Sequence, residues 1–246
     1  MLIEHMTYIN VFFVTEADHA SHLRKLASRC LDGFVTTIGM DMPENPGDYT
    51  LIVLWNLRRI ITNIPESKNT IVLHSSDLPK GRGWAPIYHS IADLNGEHVI
   101  SAILAAPLVD AGDVVAKARF TIDPSITAVS LRRFDEEACM IMIYAILNKY
   151  PNGSIQAVPQ YGQPTYYSRR SQADNEIDIE KPFAALIPHL RACEPPCYAH
   201  FFWHGVKYNI FIQPETPPEL PPELFIEFPS DATVAKYPTS IFLHSY

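Results

Sequence analysis

The sequence predicts an α/β protein built on an open, doubly wound, mostly parallel β-sheet, with a short C-terminal extension that holds a helix and a β-hairpin. Three observations favour this class. Short apolar runs bounded by turn residues recur along the first half of the chain, and helical patterns separate them. The fourth run leads into a dense group of polar residues, VLHSSDLPKGRGWAPIY, at the place where such sheets bind ligands.

The first half of the chain alternates strand and helix signals. Its strands are predicted at Tyr8–Val14, Gly33–Ile38, Tyr49–Trp55 and Thr70–Leu73, which are short, apolar and rich in β-branched or aromatic residues. A first helix follows the first strand, because apolar residues there recur at helical spacing: Leu23, Leu26, Ala27 and Cys30. Strands joined through helices form right-handed crossovers, so these runs build a parallel sheet.

The middle of the chain predicts two more strands between two helices. The strands span Val99–Leu104 and Val114–Thr121, and the helices span Ala85–Leu94 and Ser125–Tyr150. The long second helix is expected to place its charged residues on a solvent face: Arg132, Arg133, Asp135, Glu136 and Glu137. We therefore assign residues 1–150 to an N-terminal domain.

Residues 151–246 are predicted to form a C-terminal extension made of a linker, a helix, a hairpin and a proline-rich tail. The helix spans Lys181–Cys193, and the hairpin joins Ala199–Trp203 to Val206–Ile212. His200 and His204 fall in this hairpin rather than on a helix, so we expect no metal site there. Prolines crowd the chain from Pro214 onward, which predicts an extended, weakly structured end.

Composition and charge narrow the function classes. The 246 residues carry a formal net charge of -8, which argues against nucleic acid as a partner. Apolar runs are too short for a membrane span, and the start lacks the basic and small-residue features of a signal peptide. The four cysteines follow no framework spacing, so we expect free thiols and a cytoplasmic location.

Two residues are the candidates for chemistry. His74 leaves a buried strand at the mouth of the predicted ligand crevice, where an imidazole can polarise a carbonyl or move a proton near neutral pH. Asp110 lies in the tight turn VDAGD, which can hold a carboxylate close to a reactant. A histidine that caps a turn and a turn-forming aspartate are the alternative interpretations.

Three segments, in one order, resemble the formyltransferase superfamily. They are HSSDLPKGRGWAP from His74, VDAGDV from Val109, and GQPTYYSRR from Gly162. The first is similar to the family's histidine, leucine-proline and arginine-glycine signature, the second to its aspartate-glycine turn, and the third to a segment of the sugar-modifying members. The resemblance covers residues 52–212 and implies the Rossmann-like formyltransferase fold.

The resemblance implies transfer of a formyl group from N10-formyltetrahydrofolate to a primary amine, without a metal. Asp110 would take a proton from the attacking amine, and His74 would stabilise the developing oxyanion. The residues expected to contact the folate are Ser75, Asp77, Leu78, Arg82, Gly83 and Val109. Those expected to contact the acceptor are Ser76, Lys80, Trp84, Tyr166, Tyr167, Arg169 and Arg170. Surface salt bridges and core packing are the alternatives for the cations and the rings.

The resemblance also indicates the acceptor. The short acidic C-terminal part disfavours transfer RNA, so an amino sugar on a nucleotide, or one of the nonulosonate type, fits best and suggests surface-polysaccharide synthesis. Membrane attachment is not expected, and a homodimer is compatible with the family, whose members often pair through the C-terminal part.

One residue departs from the family pattern. The family's catalytic asparagine, two positions before the histidine, is replaced by Val72, which donates no side-chain hydrogen bond. Either Ser75, Ser76 or a backbone amide takes its place, or catalysis is impaired. A hydrolase of the formyl-folate and a non-catalytic module that binds folate or a sugar nucleotide are therefore alternatives.

Overall fold

A twisted eight-stranded sheet is the centre of the molecule. The computed structural model describes residues 9–61, 64, 69–93, 96–216, 218–219 and 221–239. The main-sheet strands are β1 (Asn10–Val14), β2 (Val35–Gly39), β3 (Leu51–Leu54), β4 (Thr70–His74), β6 (Glu97–Leu104), β7 (Val114–Thr121), β11 (Glu223–Phe228) and β12 (Thr233–Pro238). Their order across the sheet is β12-β11-β7-β6-β4-β3-β1-β2.

Two small sheets and four α-helices complete the described structure. The small sheets pair β5 (Arg82–Gly83) with β8 (Tyr166–Tyr167), and β9 (Ala199–Trp203) with β10 (Val206–Ile210). The helices are α1 (Ala20–Cys30), α2 (Pro86–Ala92), α3 (Ala128–Lys149) and α4 (Phe183–Ala192). The predicted α/β class, with its helix and hairpin near the C-terminus, is confirmed.

The β4 strand joins two kinds of pairing. On one side β4 runs parallel to β3. The β1 strand lies between β3 and β2 and runs parallel to both. On its other side β4 pairs antiparallel with β6, and β7, β11 and β12 continue that antiparallel half. His74 is therefore the last residue of the strand at this junction, where it lies opposite Ser101 of β6.

The α3 helix packs along the sheet and supplies much of the main core. Thr127, which precedes the helix, caps its N-terminus because its hydroxyl accepts a hydrogen bond from the Ser130 amide. Asp135 and Glu137, expected on the solvent face, are buried instead. Asp135 is satisfied by the His98 ring of β6, with 2.8 Å between Oδ1 and Nε2. Helical periodicity cannot reveal a partner on a neighbouring strand, and for this reason the prediction that Asp135 faces solvent is wrong.

The proline-rich tail is more ordered than predicted. Residues 223–238 form β11 and β12, and β11 hydrogen-bonds to β7 of the main sheet. Leu224, Ile226 and Phe228 alternate with more exposed residues and enter the core. This period of two is the ordinary signal of a half-buried strand, and the surrounding prolines obscured it. The prediction of a weakly structured end is wrong for this segment.

The remaining predicted elements match within a few residues. Several predicted positions lie outside the described residues: Tyr8, the first residue of a predicted strand, Leu94, the last residue of a predicted helix, and the tail residues 217, 220 and 240–246. The division of the chain at residue 150 stays a prediction, although β11 and β12 return to the sheet of the first half. Among the described residues, no helix has the length and apolar character needed to cross a bilayer.

Candidate active site

The loop after β4 closes over the His74 ring. His74 Nε2 lies 2.8 Å from the carbonyl oxygen of Gly81, seven residues further along. Because a carbonyl only accepts, Nε2 carries a proton in this arrangement. The loop itself is closed by the Ser76 hydroxyl, which donates to the carbonyl of Lys80 at 2.9 Å. His74 is thereby held in one orientation at the carboxyl end of its strand.

Asp110 meets His74 from the turn between β6 and β7. Its Oδ1 lies 3.6 Å from His74 Nδ1, and both side chains are only 9% exposed. The second carboxylate oxygen, Oδ2, accepts a hydrogen bond of 2.8 Å from the amide of Gly83. The two ring nitrogens of His74 thus face the Gly81 carbonyl oxygen and an Asp110 carboxylate oxygen. The structure brings the two candidate residues together.

The turn that carries Asp110 is tightly constrained. Asp110 has a positive φ of 52°, and Leu104 donates its amide to the Asp113 carbonyl at 2.8 Å across the base of the turn. A Cβ on Gly112 would collide with the carbonyl oxygen of Leu104. Only glycine therefore permits this close approach, which explains the Asp-x-Gly pattern of the turn in physical terms.

A two-residue parallel pairing fixes the second wall of the site. Gly83 of β5 lies beside Tyr167 of β8, and the Arg82 amide donates to the Thr165 carbonyl at 2.9 Å. Gly83 has a φ of 99°, and a Cβ there would strike the Tyr167 backbone. Sequence reasoning missed this pairing, since two short polar segments about 84 positions apart carry no strand signal.

Gln160 is a further residue of the site that sequence reasoning missed. Its Nε2 donates to the carbonyls of Asp110 at 2.9 Å and Gly112 at 2.8 Å. Its Oε1 accepts from Arg82 Nη2 at 2.7 Å. A single glutamine in a predicted linker offers no signal of such a role.

Some residues predicted to contact the folate have structural partners instead. Leu78 is buried and packs with Ile103 and Val114. Asp77 accepts hydrogen bonds from Lys117 Nζ at 2.5 Å and Arg119 Nη2 at 2.9 Å. Burial acts to raise the pKa of Asp77, but these two cations outweigh it and hold that pKa below its ordinary value. Both side chains fasten the loop to the sheet.

The other predicted folate contacts lie in different surroundings. Ser75 lines a small cleft between the carboxyl ends of β3 and β4 and the α3 helix, together with Trp55, Asn56, Leu73, Asp135 and Cys139. Val109 is half exposed beside Asp110, next to the more exposed Leu108. Arg82 is engaged with Gln160 and with the Tyr166 hydroxyl, to which its Nη1 donates at 3.1 Å.

The residues predicted to contact the acceptor divide into two groups. Lys80, Trp84 and Tyr166 are exposed beside the site, and the Arg169 guanidinium lies 4.8 Å from the Trp84 ring centre. Tyr167 instead stacks on His89 with 3.6 Å between ring centres. Arg170 lies on the Tyr88 ring and donates to Asn175 Oδ1 at 2.7 Å, while the Ser76 hydroxyl is used within the loop.

The surroundings of Val72 are apolar. Val72 lies opposite Leu54 of β3 and Ile103 of β6, and it packs against the buried cluster of Leu78, Ile103 and Val114. Ser75 and Ser76 lie in the bend that follows β4, and the Ser76 hydroxyl already donates to the Lys80 carbonyl. Which donor replaces an asparagine side chain at residue 72 stays a prediction.

The cysteines of the described structure are free thiols, and three of them are buried. Burial raises the pKa of Cys30 and of Cys193 to about 11, so neither is a ready nucleophile. All four cysteines are free. Within the described ranges, no three side chains of His, Cys, Asp or Glu are grouped to hold a metal ion.

Comparisons with known proteins relate this chain to formyltransferases. No family model matches it. A methionyl-tRNA formyltransferase from Streptococcus equi is 28% identical over 142 residues, which cover 56% of this chain and 45% of the relative. The chain thus matches less than half the length of that protein.

Two solved structures share the fold. HypX from Aquifex aeolicus in complex with tetrahydrofolic acid superposes with a TM-score of 0.66 at 18% identity, covering 96% of this chain and 47% of that one. A sugar N-formyltransferase from a Shewanella species gives 0.62 at 16% identity, covering 85% and 99%. The sheet and its crevice define a Rossmann-like formyltransferase fold. The sequence relatives and the solved structures together show what the chain is similar to: formyltransferases in sequence, and the formyltransferase fold in structure.

Proposed function

We propose that this protein transfers a formyl group from N10-formyltetrahydrofolate to the primary amine of an amino sugar. The observation that carries the proposal is the His74–Asp110 pair, with 3.6 Å between Nδ1 and Oδ1 and the Gly83 amide on the other carboxylate oxygen. Formyl transfer needs a base for the amine and a donor for the oxyanion, and this pair supplies one of each.

Asp110 is proposed as the base. The amine nitrogen forms a bond to the formyl carbon while Asp110 takes up the proton that this nitrogen loses. The bond from the formyl carbon to the folate nitrogen then breaks, and that nitrogen receives a proton as tetrahydrofolate leaves. Asp110 has one oxygen fixed by Gly83, so the other is the oxygen available for this proton.

His74 is proposed as the oxyanion donor. Its Nε2 is held by the Gly81 carbonyl, and its Nδ1 faces the Asp110 carboxylate. When Asp110 accepts the amine proton its charge is neutralised, and the Nδ1 proton of an imidazolium becomes free to stabilise the oxygen of the tetrahedral centre. Because Val72 and its apolar neighbours supply no side-chain donor, His74 carries more of the oxyanion stabilisation than it would beside an asparagine.

The folate is proposed to bind between the turn of Asp110 and the ends of β3 and β4. Exposed apolar side chains at Leu108 and Val109 offer a surface for its ring, and Ser75 lies at the end of β4. The complex of HypX with tetrahydrofolic acid on the same fold supports this co-substrate. Asp77 and Leu78 would then act by shaping the loop rather than by direct contact.

The amino sugar is proposed to bind beside β5. Trp84 and Tyr166 present exposed rings, and Lys80 and Arg169 supply nearby cations for a phosphate or carboxylate. The structural similarity to a sugar N-formyltransferase supports an acceptor of this class. A nucleotide-linked or nonulosonate-type sugar, a role in surface-polysaccharide synthesis and a cytoplasmic location remain part of this proposal.

A coupled assay tests the proposal against its alternatives. Purified protein is mixed with N10-formyltetrahydrofolate, and release of tetrahydrofolate is followed with and without a panel of nucleotide-linked amino sugars. We expect release that requires an amine. Release without any amine would indicate a hydrolase, and no release across the panel would favour a non-catalytic binding module.

A homodimer through the β9–β10 hairpin completes the proposal. Trp203, Val206 and Tyr208 lie on one face of this hairpin, each about half exposed, while Ala199 and Ile210 at its other end pack near α4. An exposed aromatic surface of this kind favours association. Sedimentation velocity should show a dimer that Trp203→Ser converts to monomer; a monomeric wild-type protein would contradict it.

A further inference from the structure

We propose that Gln160 is a positioning residue, which sets the placement of Asp110 relative to His74. Its side chain connects the turn of Asp110 to the strand that carries Arg82 and Gly83. The inference rests on the proposed formyl transfer, because it assigns Gln160 to that same site. Gln160 does not touch the reacting atoms in this account and acts through its neighbours.

Both polar atoms of the Gln160 side-chain amide have hydrogen-bonding partners. The two Nε2 protons go to the carbonyls of Asp110 and Gly112, and Oε1 receives the Arg82 guanidinium. A carboxylate at this position would keep the contact with Arg82 but would face two carbonyl oxygens without a proton to donate. The donor end of the glutamine is therefore specific to the Asp110 turn.

The Asp110 turn requires such a tie. Asp110 has a positive φ of 52°, a conformation that is uncommon for residues other than glycine and that contacts from the surroundings help to hold. The two carbonyls bound by Gln160 belong to Asp110 itself and to Gly112, so the contact fixes the backbone immediately around the carboxylate. Rotation of this backbone would move the Asp110 carboxylate away from His74.

The acceptor end of Gln160 closes a ring of contacts. Arg82 precedes Gly83, whose amide holds Asp110 Oδ2 at 2.8 Å, and Gln160 joins Arg82 back to the Asp110 carbonyl. The charged and titratable groups gathered here are His74, Asp110, Arg82 and Tyr166, whose hydroxyl accepts from Arg82 Nη1 at 3.1 Å. Gln160 thus joins the Asp110 turn to the Arg82–Gly83 strand, and both segments hold the Asp110 carboxylate in place.

The test compares two glutamine-to-glutamate variants in the same segment. Gln160→Glu removes donation to the Asp110 turn and keeps the Arg82 contact, and Gln163→Glu adds the same charge at an exposed residue nearby. We expect kcat to fall about 10- to 100-fold in Gln160→Glu with KM little changed, because small displacements of catalytic groups lower the rate strongly. Gln163→Glu should keep the wild-type kcat.

A second measurement is independent of activity. The Gly83 amide donates to Asp110, so its NMR chemical shift and hydrogen-exchange rate report the position of the carboxylate. Both should change in Gln160→Glu, and in Gln160→Met if the charged variant fails to fold, but not in Gln163→Glu. An unchanged Gly83 amide, or a changed amide with wild-type kcat, would overturn the inference. If the wild type transfers no formyl group, the proposed function fails, and the amide alone decides whether Gln160 positions Asp110.

Discussion

At the scale of single residues, the site depends on two side chains that sequence patterns identify and on contacts that they do not. His74 and Asp110 could be predicted because each occupies a place, a strand end and a glycine turn, where polar side chains gather in an α/β sheet. The 3.6 Å distance between His74 Nδ1 and Asp110 Oδ1 also depends on Gly83 and Gln160. These two residues hold Asp110 through contacts that only the folded chain brings together. Local sequence holds no record of those long-range contacts.

His74→Ala and Asp110→Ala should each lower kcat/KM by about 10²- to 10⁴-fold, because each removes a proton-transfer or charge-stabilising group. Asp113→Ala is the matched control, since Asp113 is exposed three residues after Asp110 and uses its backbone carbonyl rather than its side chain in the turn. Steady-state kinetics with circular dichroism check the rates and the fold. Full activity in Asp110→Ala would remove the basis of the proposed mechanism.

At the scale of elements, the prolines before β11 and Asp135 within α3 limited the prediction. The strand ELFIEF alternates buried and exposed side chains, yet its place beside β7 is fixed by packing more than 100 residues away in the chain. Asp135 is buried because His98 of β6 meets it there. Periodicity identifies an element and its apolar face, whereas a polar residue that finds a buried partner requires the tertiary structure.

The tail strand makes an element-scale prediction. Ile226 is fully buried against the main core, so Ile226→Ala should lower the free energy of unfolding by about 2–5 kcal/mol. Phe225→Ala, on the exposed face of the same strand, should cost much less. Urea unfolding curves measure both. Equal, small effects would mean that this segment is the weakly structured tail predicted from its prolines.

At the scale of the whole molecule, the loop after β4, the turn between β6 and β7 and the segment of β8 meet around His74 and Asp110, although β6 runs antiparallel to β4. The sheet could be predicted from apolar runs, since strand and helix periods are local properties. The third wall could not, because β8 is two residues long and is defined by its pairing with β5. A formyl-folate and an amine would thus meet among three segments that are distant in sequence.

The most direct test of this account is whether the formyl group reaches an amine. Mass spectrometry and NMR of a nucleotide-linked amino sugar, incubated with N10-formyltetrahydrofolate and the protein, would detect a formamide on the sugar nitrogen. The account predicts this product with the wild-type protein and its near absence with Asp110→Ala. Free formate without formamide, or formamide at the wild-type rate in Asp110→Ala, would contradict it.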